Sequence, residues 1–209
     1  MDIEKYKKLR YGNIDAEETK VREALPDYER LYTVEDYLSW DESFKAELYE
    51  GALVVAFSPT HRHQGISGEI YGQIWQFLKG KQCKAFPAPF SVKLFENEET
   101  VFVPDIVVIC DESKLGGHIF NGAPDMVIEI LSPSTARLDK KLKYQKYQKA
   151  GVKEYWIVDP ELNLLEANVM NSERYTTMIY DENDKAPVHI LDGFEINLAD
   201  VFKSQWKDH

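Results

Sequence analysis

Met126-Val127-Ile128-Glu129-Ile130-Leu131, followed at once by Ser132-Pro133-Ser134-Thr135, is the stretch on which the fold turns. An apolar run interrupted by a single carboxylate reads as a central strand buried on both faces. Ser132 to Thr135 then opens a helix that runs to about Ala150, where Gly151 supplies a C-terminal stop. Residues 154–158 form a short aromatic and β-branched strand. Strand, helix, strand implies a parallel crossover, because parallel neighbours need a long connection. Upstream, residues 90–95 and 101–110 read as two strands around an acidic turn at 96–99, and the second is nearly all apolar apart from Asp105.

Working outward, Leu48, Leu53, Val54, Val55 and Phe57 fall on two β-rich runs around Glu50-Gly51, the composition of a tight hairpin, with Glu47 on its first strand. Ile66, Ile70, Ile74, Phe77 and Leu78 recur at helical spacing, so residues 61–79 form one amphipathic helix, with Pro59 suited to its first turn. Thr33 can cap a short helix beginning at Val34. Residues 1–30 read as a polar N-terminal helical extension and residues 31–209 as the main domain, its tail from Leu162 rich in β-structure between turn signals.

The chain has 209 residues, 44% of them hydrophobic, enough to bury a substantial core. No run approaches the roughly 20 apolar residues of a membrane span, and the first residues lack the plan of a signal peptide, so a cytoplasmic protein is expected. Cys83 and Cys110 lie in apolar surroundings without metal-ligand spacing and read as buried core thiols. Lys+Arg 25 against Asp+Glu 36 gives a formal charge of −11, which argues mildly against tight binding of polyanions. One segment is nevertheless basic: Arg137, Lys140, Lys141, Lys143, Lys146, Lys149 and Lys153 outnumber Asp139 and Glu154.

Chemistry enters through Asp105 and Glu129. A buried isolated charge costs several kcal/mol unless it is paired, protonated or bound to metal. Neighbouring strands lie about 4.8 Å apart, so two carboxylates facing the same way can share one divalent cation. Four residues along one strand span about 13 Å, which removes Asp125 as a partner for Glu129. Magnesium needs only one or two carboxylates, its waters and a substrate phosphate. A nearby lysine would then offset charge developing on the phosphate. Residue 131, where a strand lysine would share the face of Glu129, is leucine. Asp139, Lys143 and Tyr147 instead form a stripe at four-residue spacing on the following helix, which makes Lys143 the candidate cation, ahead of Lys93. His61 and His63 read as surface residues at a helix start, not as metal ligands.

Pro104-Asp105, Glu129 through Thr135, Asp139, Lys143, Tyr147, Gly151-Val152 and Glu154-Tyr155-Trp156 together resemble the Uma family of restriction-endonuclease-like proteins, a branch of the PD-(D/E)XK superfamily. The similarity runs from about Tyr32 through Pro160, with Glu47-Leu48 and Gly51 matching the family's early Glu-Leu and Gly, and His63 its histidine at the head of the long helix. The resemblance implies an α/β fold, a mixed sheet flanked by helices as in restriction endonucleases. It also implies Asp105 and Glu129 as metal ligands and Glu47 as a nearby acid. The superfamily pattern puts lysine where Leu131 stands.

The leading expectation is an endonuclease dependent on Mg²⁺, or Mn²⁺, that hydrolyses phosphodiester bonds of DNA or RNA, with Asp105, Glu129, Lys143 and Glu47 at its site. A symmetric homodimer is expected, because cutting a duplex calls for two sites. The alternative is a catalytically impaired nucleic-acid-binding or dimerisation module that keeps the nuclease fold, motivated by Leu131 and the acidic net charge. A hydrolase of another kind ranks last, since no Gly-rich phosphate loop, nucleophile elbow or His-Glu-x-x-His motif is present.

Overall fold

Thr33 accepts the Asp36 N–H while the Asp36 side chain takes the Thr33 N–H, a capping box that starts α1 (Val34–Ser39) as expected. The structure, a computed structural model, describes residues 30–40, 46–55, 59–115, 117–132 and 138–203, so the expected extension over 1–30 lies outside it apart from residue 30. The hairpin of β1 (Ala46–Tyr49) and β2 (Ala52–Val55) turns at Glu50 (φ 49°) and Gly51 (φ 80°), the positive pair a two-residue turn requires. A Cβ on Gly51 would also sit 3.1 Å from the Tyr32 carbonyl oxygen. Helix α2 (His61–Leu78) is capped by Thr60, one residue after Pro59.

Then come β3 (Lys84–Pro87), β4 (Val92–Lys93), β5 (Ile106–Ile109), β6 (Phe120–Asn121) and β7 (Met126–Ile130). A wide π-helical turn at Leu138–Lys143 runs straight into α3 (Tyr144–Ala150), and Gly151 ends it in the left-handed region. Strands β8 (Glu154–Asp159), β9 (Leu164–Asn171), β10 (Arg174–Asp181), β11 (Lys185–Pro187) and β12 (Glu195–Asn197) lead to α4 (Leu198–Lys203). Six strands form one mixed sheet in the order β10-β9-β8-β7-β5-β3, with β7 and β8 parallel and the other pairs antiparallel. The crossover implied by the sequence is therefore present.

Alternation along β7 sorts its side chains between two cores. Met126, Ile128 and Ile130 pack with Ile66, Ile70, Ile74 and Leu78 of α2 and with Val201 and Phe202 of α4. Val127 and Leu131 face the other way, against Tyr147 of α3, Val152 and Phe102. Each fully buried aliphatic side chain contributes about 1.5–3 kcal/mol of transfer free energy, which is what holds helices to both faces. Glu129 falls on the face covered by α3. No helix among the described residues is long and apolar enough to cross a membrane.

Three expectations are corrected. The strand read over 101–110 is only Ile106–Ile109, and that over 90–95 only Val92–Lys93. Val101 bridges to Leu48 and Phe102 to Val92, so the chain changes partners before Pro104, which has no N–H for a ladder; Asp105 thus precedes β5. Strand β3, four residues ending in proline, carries little pattern in the sequence, and its place at the sheet edge tolerates that proline. Cys83 and Cys110 are not thiols but a disulfide, because the β3–β5 register pairs Lys84 with Ile109 and so sets the two cysteines opposite each other, their Cα atoms 3.9 Å apart.

Candidate active site

Glu129 stands near the end of β7, and Asp105 just before the start of antiparallel β5. The β5–β7 pairing ends at Ile106↔Ile128, which leaves Asp105 one residue before β5 at the same end of the sheet as Glu129. Asp105 is tied to β7 directly, since its Oδ2 accepts the Ile130 N–H at 2.7 Å. Asp125, at the other end of β7, is engaged by Lys153 and by the Cys110 N–H.

From above comes the stripe of the following helix. Lys143 Nζ lies 2.8 Å from Glu129 Oε1, 2.9 Å from Glu47 Oε1 and 3.4 Å from Asp139 Oδ1, and only 3% of the residue is exposed. Tyr147 donates to the same Glu129 oxygen at 3.0 Å. The stripe survives the π-helical turn, and Tyr155 pins that turn by donating to the Asp139 carbonyl. Glu47 arrives on β1, which the Leu48↔Val101 bridge lays beside the sheet, and its Oε1 also takes the Val103 N–H at 2.7 Å. Lys93 makes no ion pair among the described residues and does not reach this group. Leu131 is buried in the apolar core beneath α3, and the lysine beside Glu129 comes from the helical segment after β7.

Charge balance governs the site. Burial pushes the Glu129 carboxyl well above the usual carboxylate range; Lys143 pulls it back, while Asp139, Asp105 and Glu47 add to the rise. Burial works against the Lys143 charge, yet Glu129, Glu47 and Asp139 outweigh it and hold the ammonium well above the ordinary lysine range. Three carboxylates thus meet one buried ammonium, and the nearby Asp105 adds to the negative charge around Glu129. The donors also suit a hard divalent ion: Glu129 Oε2, Asp105 Oδ1 and Glu47 Oε2 accept no hydrogen bond among the described residues. No group of three or more His, Cys, Asp or Glu set to hold a metal occurs among the described residues, but a magnesium site asks for only one or two carboxylates.

His63 was expected at the surface. It is instead 9% exposed, with Nε2 3.1 Å from the Ile130 carbonyl oxygen and 3.3 Å from Asp105 Oδ2. Its place on the stripe His63, Ile66, Ile70, Ile74 was the signal that it points inward. The basic segment is also less basic than its composition. Lys140, Lys143, Lys146, Lys149 and Lys153 each pair with a carboxylate of another element.

The structure is thus a mixed sheet flanked by helices, with acids and one lysine gathered at one end. The chain belongs to the Uma2 family, described as "Putative restriction endonuclease", whose pattern matches residues 34–199. A crystal structure titled as a putative nuclease of DUF820 from Anabaena variabilis shares the fold, with a TM-score of 0.69 over 82% of this chain and 97% of that one at 23% identity. Two uncharacterized proteins of Synechocystis sp. are also similar. One is 28% identical over 115 residues, 54% of this chain and 60% of its own length. The other is 24% identical over 135 residues, 62% of this chain and 76% of its own.

Proposed function

We propose that the protein is a metal-dependent endonuclease that hydrolyses phosphodiester bonds of DNA, with Asp105 and Glu129 holding Mg²⁺ or Mn²⁺. The observation that carries this reading is the placement of Lys143 Nζ 2.8 Å from Glu129, whose carboxyl also feels the charge of Asp105, in a site with more acids than cations. A divalent ion there would supply Lewis-acid stabilisation of the phosphate and activation of water. Lys143 stays charged and offsets the negative charge that builds on the phosphoryl oxygens. Glu47 and Tyr147 fix their partners, Glu47 by anchoring the ammonium and Tyr147 by occupying one oxygen of Glu129. The helix lysine thus takes over the role that the superfamily gives to residue 131.

The test is cleavage of single- and double-stranded DNA and RNA with Mg²⁺ or Mn²⁺, with EDTA as control. Cutting that EDTA abolishes is expected. RNA cut in preference to DNA would move the substrate class. A symmetric dimer of this chain goes with duplex cleavage, and light scattering that gives a monomer would count against it. One observation favours a second reading, a nucleic-acid-binding module without turnover: Glu47 and Glu129 already share an internal cation. Binding of DNA with no cutting across the whole panel would establish it.

A further inference from the structure

We propose that His63 is a positioning residue that sets the orientation of Asp105, an inference that rests on the reading of Asp105 as a metal ligand. His63 lies in the first turn of α2, where the Thr60 side chain accepts its N–H at 3.2 Å and fixes its backbone. The ring reaches the end of β7 at Ile130. Its Nε2 lies 3.1 Å from the Ile130 carbonyl oxygen, and since a carbonyl only accepts, Nε2 carries the ring proton. The same Nε2 is 3.3 Å from Asp105 Oδ2, which in turn accepts the Ile130 N–H at 2.7 Å. Ile130 N–H, Ile130 C=O, the imidazole and one carboxylate oxygen therefore close a single ring of polar contacts. Within it Asp105 Oδ2 is held, so that Oδ1 is the oxygen left for a cation.

Packing alone does not account for a histidine here. Nδ1 is buried and has no hydrogen-bond partner among the described residues. An unpartnered buried nitrogen costs free energy that an apolar side chain of similar size would avoid. What histidine supplies, and leucine would not, is an N–H that the Ile130 carbonyl accepts while the same nitrogen stands 3.3 Å from Asp105 Oδ2. Without it the carboxylate, with a fifth of its side chain exposed, would be held by the Ile130 amide alone. Groups that orient metal-binding side chains typically contribute about 10- to 100-fold in metal affinity.

The experiment compares wild type with His63→Leu, His63→Gln and His63→Asn in the full chain. Glutamine can carry an N–H to the place of Nε2, whereas asparagine reaches only as far as Nδ1. Mn²⁺ affinity is read by the paramagnetic resonance of the free ion, and exchange of the Ile130 amide hydrogen is read without metal. Leu and Asn are expected to weaken Mn²⁺ binding about 10- to 100-fold and Gln by less than about 3-fold. The Ile130 amide should exchange about 10-fold faster in the Leu and Asn variants, with the Ile128 amide unchanged. Equal affinity and equal Ile130 exchange in Gln and Asn overturn the proposal, and that pair decides if His63→Leu does not fold. Wild type that binds no Mn²⁺ instead overturns the metal reading of Asp105, and the metal-free exchange then decides whether His63 holds that side chain.

Discussion

Lys143 Nζ lies almost equally far from Glu129 Oε1 and Glu47 Oε1, 2.8 and 2.9 Å, so one helix cation joins a central strand to an N-terminal hairpin. Removing one partner of a buried charge group leaves the rest uncompensated, at about 3–5 kcal/mol. Lys143→Met should therefore lose both cleavage and stability by roughly that amount in urea unfolding. Adding Glu47→Gln and Glu129→Gln should restore most of the stability and none of the activity. A single variant as stable as wild type would mean that the acids are not charged in the fold.

Asp105→Asn and Glu129→Gln keep shape while deleting a metal-binding charge. Each should lower cleavage by about 10²-fold or more while the protein stays folded. The measurement is initial rate at saturating Mn²⁺ beside circular dichroism. Retention of wild-type rates by either variant would exclude that residue as a ligand.

The raised Glu129 carboxyl has a signed consequence for pH. Its folded value lies above the unfolded one of about 4.3, so the folded state holds a proton that the unfolded chain has lost between the two. In EDTA, this group's contribution to stability falls as pH rises through that window, by up to about 1.4 kcal/mol per pH unit, and is level below it and above it. Glu129→Gln does not titrate and so should gain on wild type as pH rises from about 4. Denaturation curves whose difference stays constant with pH would refute this.

The Cys83–Cys110 bond closes a loop with a sequence separation of 27 between β3 and β5. In the chain-entropy account a loop of that length contributes about 3–4 kcal/mol. Melting with and without a reductant should show a loss of that order, and a double Cys→Ser variant should match the reduced form. Thiol counting under denaturing conditions without reductant should find neither cysteine free.

Sequence by itself determined what depends on local order. The apolar run around Glu129, the stripe Asp139, Lys143, Tyr147, the glycine stop at Gly151 and the alternation in the tail each state their element, because burial and backbone geometry act within a few residues. Those signals were enough for the crossover, for Glu129 on a buried strand and for Lys143 on the helical segment after it. Tertiary structure decided what depends on who meets whom. Asp105 left the strand because Val101 and Phe102 found partners in β1 and β4. Cys83 met Cys110 through a register spanning two segments far apart in the chain. His63 turned from an expected surface residue into a neighbour of Asp105, since only the packing of α2 on the sheet carries its ring to Ile130. Long-range contacts of this kind leave little local periodicity to read, because each is fixed by the shape of the assembled core.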